Sequence, residues 1–116
     1  MSSVVHYSIS LPDPEKARGS DPDLSFKSHG ASGFAEELQA ALRTDALFQR
    51  WRASQEDPDA VDPALGAVDP AAAVTGEPHD LHVDLVASTS LPGNLLRQRM
   101  RLLAGSAWEL RDVRAG

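Results

Sequence analysis

Leu81-His82-Val83-Asp84-Leu85-Val86-Ala87-Ser88 is the stretch on which the fold turns. Leu81, Val83, Leu85 and Ala87 fall on one side of an extended chain, and His82 and Asp84, with the preceding Asp80, fall on the other. Successive side chains of a strand point to opposite faces, so this pattern predicts a strand with one face on a core and one in water. Downstream, Ser90, Pro92 and Gly93 open a helix, since proline in a first turn loses only a donor that would be unpaired anyway. Leu95, Leu96, Met100, Leu102 and Leu103 make its apolar side, and Gly105 suits the position just past its end. Trp108 and Leu110 then point inward from a last strand ending near Val113. The final 36 residues read as strand, helix, strand.

Upstream, residues 4–11 alternate Val5, Tyr7, Ile9 and Leu11 with His6, Ser8 and Ser10, which predicts the first strand. A turn-rich connection with Asp13-Pro14, Gly19-Ser20 and Asp21-Pro22 follows, and residues 24–28 read as a short second strand with Leu24 and Phe26 inward. Gly30-Ala31-Ser32-Gly33 leads into a helix with Ser32 as its N-cap. At about 100° per residue, Phe34, Ala35, Leu38, Ala41 and Leu42 share one side of that helix, while Glu36, Gln39 and Arg43 lie opposite. Leu47, Phe48 and Trp51 leave that stripe, so a new short helix starts near Thr44 or Asp45 at another angle.

Every strand so read has one apolar and one polar face, and every helix has one apolar stripe. The fold class that follows is α+β, a two-layer sandwich with helices packed on one face of a small, mainly antiparallel sheet. Two segments decide the order. If residues 72–75 are a strand and residues 24–28 are not, it is the ferredoxin-like βαββαβ; otherwise it is ββαβαβ.

Charge is spread unevenly. Residues 53–90 hold no Lys or Arg but eight acids: Glu56, Asp57, Asp59, Asp62, Asp69, Glu77, Asp80 and Asp84. The rest of the chain is close to balanced, and the whole carries −6. Within this acidic run, residues 54–78 are punctuated by Asp57-Pro58, Asp62-Pro63 and Asp69-Pro70 and read as a solvated, mobile loop. A helical turn at residues 64–67 or a strand at residues 72–75 are its ordered alternatives.

At 116 residues the chain is most simply one domain, with 41% hydrophobic and 24% charged residues. The absence of cysteine excludes disulfides, thiolate metal sites and cysteine nucleophiles. No apolar run reaches the roughly 20 residues of a membrane span, and residues 1–6 lack the basic and apolar regions of a secretory signal. A cytoplasmic setting without membrane contact is therefore expected.

The polar sheet face is the first candidate site. It gathers His6, Ser8 and Ser10 with Asp80, His82 and Asp84, and Lys27, Glu109 and Arg111 are available to join them. Alternate residues of one strand stand about 7 Å apart, wide for chelation, so His6, Asp80, His82 and Asp84 make a metal or catalytic set only if a neighbouring strand closes it. His79 and His82 on a continuous strand would face opposite ways. A wet sheet face is the simpler reading, and no metal or other cofactor is expected. Gly30-Ala31-Ser32-Gly33 before a helix could cradle phosphate, but Glu36 and Glu37 in the opening turns oppose an anion.

Arg97 and Arg101 project to solvent, whereas Arg99 falls amid Leu95, Leu96, Met100 and Leu103. A charge placed there needs a partner, a carbonyl or a carboxylate such as Asp84 or Glu109, so Arg99 is expected to be a structural ion pair. The acidic balance and the lack of aromatics on the polar face argue against nucleic acid as a partner. The sequence therefore points to a small, non-catalytic protein-interaction or regulatory domain. It would present the polar face and the acids Asp57, Asp59, Asp62, Asp69 and Glu77 to a protein partner, or to a second copy of itself. A small enzyme or ligand-binding domain built on His6, Asp80, His82 and Asp84 is the rival, and a self-association module is the third reading.

Overall fold

The computed structural model describes residues 4–115. Residues 1–3, part of the segment read above for a leader, lie outside the described residues. The elements run β1 (Val5–Leu11), α1 (Ala31–Arg43), α2 (Ala46–Ala53), β2 (Ala73–His79), β3 (His82–Thr89), α3 (Gly93–Ala104) and β4 (Glu109–Ala115), with short 3-10 turns at Pro14–Lys16, Pro58–Ala60 and Pro63–Gly66. The four strands form one sheet in the order β2-β3-β1-β4, and every neighbouring pair is antiparallel. This is the two-layer α+β architecture, in its βαββαβ alternative with one added short helix.

The alternation in β1 and β3 sorts as the pattern demands. Tyr7, Ile9 and Leu11 of β1 and Val83, Leu85 and Ala87 of β3 are buried under the helices. On α1 the buried set is Ala31, Phe34, Ala35, Leu38, Ala41 and Leu42, and on α3 it is Leu95, Leu96, Arg99, Met100, Leu103 and Ala104. Both helices lay these stripes on the same side of the sheet, and Phe34 meets Phe26 edge-to-face at a ring distance of 4.9 Å. Burial of this continuous apolar layer, at roughly 25 cal/mol per Å², is the main force holding helices to sheet.

Four local expectations change. Residues 24–28 are not a strand, although Leu24 and Phe26 are buried as expected. Their backbone is satisfied elsewhere: the Phe26 amide donates to the Leu103 carbonyl at the end of α3, and the Lys27 and Ser28 amides donate to the Glu37 carboxylate at 3.0 Å. With its donors occupied, this stretch pins the two helices together instead of extending the sheet. Gly30, not Ser32, is the N-cap of α1, and Ser32 stands exposed in its first turn. The strand foreseen over residues 72–75 runs on through Pro78 to His79, which β2 tolerates because it is an edge strand. Leu81, expected inward, sits in the β2–β3 turn and is 88% exposed.

The acidic segment is tied down at several points. The Asp69 amide donates to the Leu42 carbonyl, Arg43 Nε to the Ala72 carbonyl, and the Val74 amide to Gln39 Oε1, so the C-terminal half of α1 clips the segment as it enters β2.

Candidate functional site

Helices cover one face of the sheet and leave the other open. The strand register sets the open face as rungs. Glu77, Asp84, Ser10 and Glu109 make one row; Thr75, Val86, Ser8 and Asp112 the next; and Ala73, Ser88, His6 and Arg114 the third. At the hairpin end His79 pairs with His82. A register shift in β4 beside Ser8 and Ile9 leaves Arg111 as the extra residue and turns it toward this face.

The first two rungs and the hairpin end surround a concavity of about 700 Å³, lined by Ser10, Thr75, Glu77, His79, His82 and Asp84 and by Glu109 and Arg111 across the sheet. That volume lies within the 300–1,000 Å³ typical of ligand pockets, although this one is a half-open trough. Its floor is the backbone of β1 and β3 with Val86, which is 38% exposed at the centre. Three carboxylates border it against one guanidinium, and Arg111 Nη1 is held by Glu109 at 2.9 Å. The trough is therefore negative overall and suits a positively charged group.

The residues read from sequence distribute as follows. His82 and Asp84 are together in the trough, with His82 Nε2 3.5 Å from Asp84 Oδ2. His6 is not with them. It lies on the rung of Ser88, whose hydroxyl meets its Nδ1 at 2.7 Å, about 20 Å along β3 from His82. Asp80 is not on the face either, because it occupies the turn at φ 54, a left-handed conformation that Asp tolerates better than most residues. The set His6, Asp80, His82 and Asp84 is thus dispersed. Glu109 and Arg111 join the face as expected, and Lys27 lies away from it, donating to the Pro22 carbonyl.

His79 is the residue that sequence reasoning misplaced. The strand is broken by the two-residue turn Asp80-Leu81, so His79 stands opposite His82 and on the same face. The rings stack with centroids 5.3 Å apart. His79 Nε2 is 3.3 Å from Asp84 Oδ2 and 3.6 Å from Glu77 Oε2. Glu77, the last acid before the turn, was the available signal: residues 75, 77 and 79 alternate with Val74, Gly76 and Pro78 and so share one face.

The remaining acids do not form one surface. Asp57 precedes the turn at Pro58–Ala60 and Asp59 lies within it, 3.4 Å from Arg52. Asp62 accepts from the Ala64 amide and so caps the turn at Pro63–Gly66. Asp69 faces inward and accepts from the Thr89 hydroxyl and the Ser90 amide, both at 2.9 Å, and from the Ala71 amide. The Ser90 amide, with help from Thr89 and Ala71, holds its carboxyl below the usual Asp range.

Arg99 is 1% exposed and is held by carbonyls, not by Asp84 or Glu109. Its two Nη atoms donate to the Leu65 and Ala67 carbonyls at 2.9 Å, while Nε is buried without a partner. Burial lowers its pKa, yet a guanidinium stays charged at any physiological pH. The expected ion pair is therefore a charge-to-dipole clamp that binds the acidic segment to α3.

Compared with family models, curated proteins and solved structures, the chain has no match, so the site is read from its own geometry. Among the described residues no helix is long and apolar enough to cross a membrane.

Proposed function

We propose that this protein is a non-catalytic interaction domain whose docking surface is the open sheet face, with Glu77 of β2 on its border. The observation that carries this reading is the negative trough, bordered by Glu77, Asp84 and Glu109 with Arg111 already engaged. The partner is a protein that presents basic side chains there. Electrostatic complementarity of this kind steers association and is weakened by salt. The test is affinity capture from lysate of the source organism, with wild type beside the triple variant Glu77→Gln, Asp84→Asn, Glu109→Gln. These changes keep shape and remove charge, whereas deleting residues 57–77 would remove part of β2 and the Arg99 clamp. A partner held by wild type, lost by the triple variant and weakened at moderate salt supports the reading. An identical set of captured proteins with both baits sinks it.

A second reading, self-association, draws on the edges of the sheet. Pro78 and the Gln39 contact to the Val74 amide obstruct the β2 edge, while β4 ends the other side with mostly exposed residues. Two copies of β4 paired antiparallel about Val113, itself 50% exposed, would set each Asp112 opposite the other copy's Arg114. Sedimentation across a concentration series would show a dimer that Val113→Pro abolishes; a monomer at every concentration removes this reading.

A further inference from the structure

The β2–β3 hairpin places two histidines and two carboxylates on adjacent rungs of one face, His79 opposite His82 and Glu77 opposite Asp84. Asp80 and Leu81 are the whole connection, so the pairing is fixed by a short turn and not by distant packing. His79 Nε2 stands 3.3 Å from Asp84 Oδ2 and 3.6 Å from Glu77 Oε2, and His82 Nε2 stands 3.5 Å from the same Asp84 oxygen. Around a tetrahedral zinc ion, with bonds to nitrogen and oxygen of about 2.0–2.1 Å, ligand atoms are separated by about 3.3–3.4 Å. These spacings put the four groups within reach of one ion, although each of them changes when an imidazole turns.

We propose that Glu77, His79, His82 and Asp84 form a binding site for a divalent transition-metal ion of the zinc class. Two imidazoles with two carboxylates select zinc and its neighbours over calcium or magnesium, which prefer oxygen alone. The two negative charges offset the cation, and the ion would sit at the hairpin end of the trough. As they stand, the rings are 18° from parallel, so their Nε2 lone pairs do not meet. Among the described residues no group of three or more His, Asp or Glu side chains is so placed that it could hold a metal ion as it stands. Closure needs rotation of the two imidazoles about their side-chain bonds. Both are nearly half exposed, so they turn without disturbing the core.

The site shares Glu77 and Asp84 with the proposed docking face but does not depend on it, and the two histidines separate the tests. The full chain is titrated with Zn²⁺ by calorimetry and with Co²⁺ by visible absorption, in wild type and in variants whose folding is checked by circular dichroism. The expected result is one ion per chain with a tetrahedral Co²⁺ spectrum. His79→Ala and His82→Ala each weaken binding at least about tenfold, since even the outer partners of metal ligands are worth about 10–100-fold. Asp84→Asn and Glu77→Gln also weaken it, while His6→Ala and His29→Ala leave it unchanged. The proposal is overturned if wild type binds no zinc, or if His6→Ala costs as much as His79→Ala. Indifference to loss of both carboxylates also overturns it, because that is the behaviour of an unspecific imidazole pair.

Discussion

The Asp69 carboxylate accepts the Thr89 hydroxyl at 2.9 Å and, through the same oxygen, the Ser90 amide at 2.9 Å. One acid of the Pro-rich segment thereby closes the end of β3 and fixes the start of the path into α3. These bonds hold the folded-state pKa of Asp69 below its ordinary value near 3.9. A depressed carboxyl pKa contributes stability that is fully present above the unfolded value and is lost as pH falls through the folded one. Asp69→Asn is therefore expected to lower stability at pH 7 by up to about 1.5–3 kcal/mol, the range for hydrogen bonds to charged groups. The gap between wild type and variant should narrow as pH falls below about 4. Denaturant unfolding at several pH values checks this, and a gap that widens in acid contradicts it.

Arg99 makes a separate prediction, because its clamp is local. Arg99→Met keeps the apolar stem and removes both donors, leaving the Leu65 and Ala67 carbonyls to find other partners. Losing a hydrogen bond from a charged donor costs about 1.5–3 kcal/mol, less where water can replace it and partly offset by no longer burying a charge. Amide exchange should accelerate across residues 61–72 while the amides of β1 and β3 keep their protection. Uniform acceleration throughout the chain would mean that Arg99 supports the whole core and not this segment.

The parts of the fold that could be read from sequence are those in which burial writes a period into the chain. Residues 5–11 and 82–89 alternate because one face meets helices and the other meets water, and α1 shows its stripe from Phe34 to Leu42 for the same reason. Arg99 stood out as a charge inside such a stripe. Residues 24–28 misled because Leu24 and Phe26 alternate and are buried, yet where their amides go is set by Leu103 and Glu37, distant in sequence. β2 was blurred by Gly76 and Pro78, and its end depends on Asp80 adopting a positive φ. The site inherits that blur. His82 and Asp84 were legible on one strand, but His79 and Glu77 reach them only through a turn whose register the alternation does not mark.

Tyr7 tests the helix-covered face. Its hydroxyl donates to the Leu91 carbonyl at 3.0 Å from a buried position, and burial raises its pKa, with Arg97 pulling the other way. A raised folded-state pKa contributes stability that is present below the unfolded value, near 10, and is lost as pH rises through the folded one. Tyr7→Phe is expected to cost about 1 kcal/mol at pH 7, and wild type should lose that advantage in strong alkali. Ultraviolet titration of this single tyrosine should show it ionising above the free-tyrosine range; ionisation at the ordinary value would place the ring in water.

Two glycines at the start of α1, Gly76 of β2 against it and Gly30 capping it, should respond in opposite directions. A Cβ at Gly76 would overlap the Ala31 carbonyl, where β2 crosses the start of α1. Backbone cannot yield as a flexible side chain does, so Gly76→Ala is expected to cost about 1–3 kcal/mol, as overpacking does. It would also shift β2 outward and disturb the Glu77 and His79 rungs of the trough. Gly30 caps α1 at φ −117 with no side-chain bond, and a Cβ there meets nothing within 4 Å. Gly30→Ser supplies the hydroxyl acceptor that the cap lacks and should stabilise by a few tenths of a kcal/mol. Thermal unfolding of the two variants side by side decides the matter. A neutral Gly76→Ala would show that β2 can move away from α1, and the trough would then be adjustable in shape.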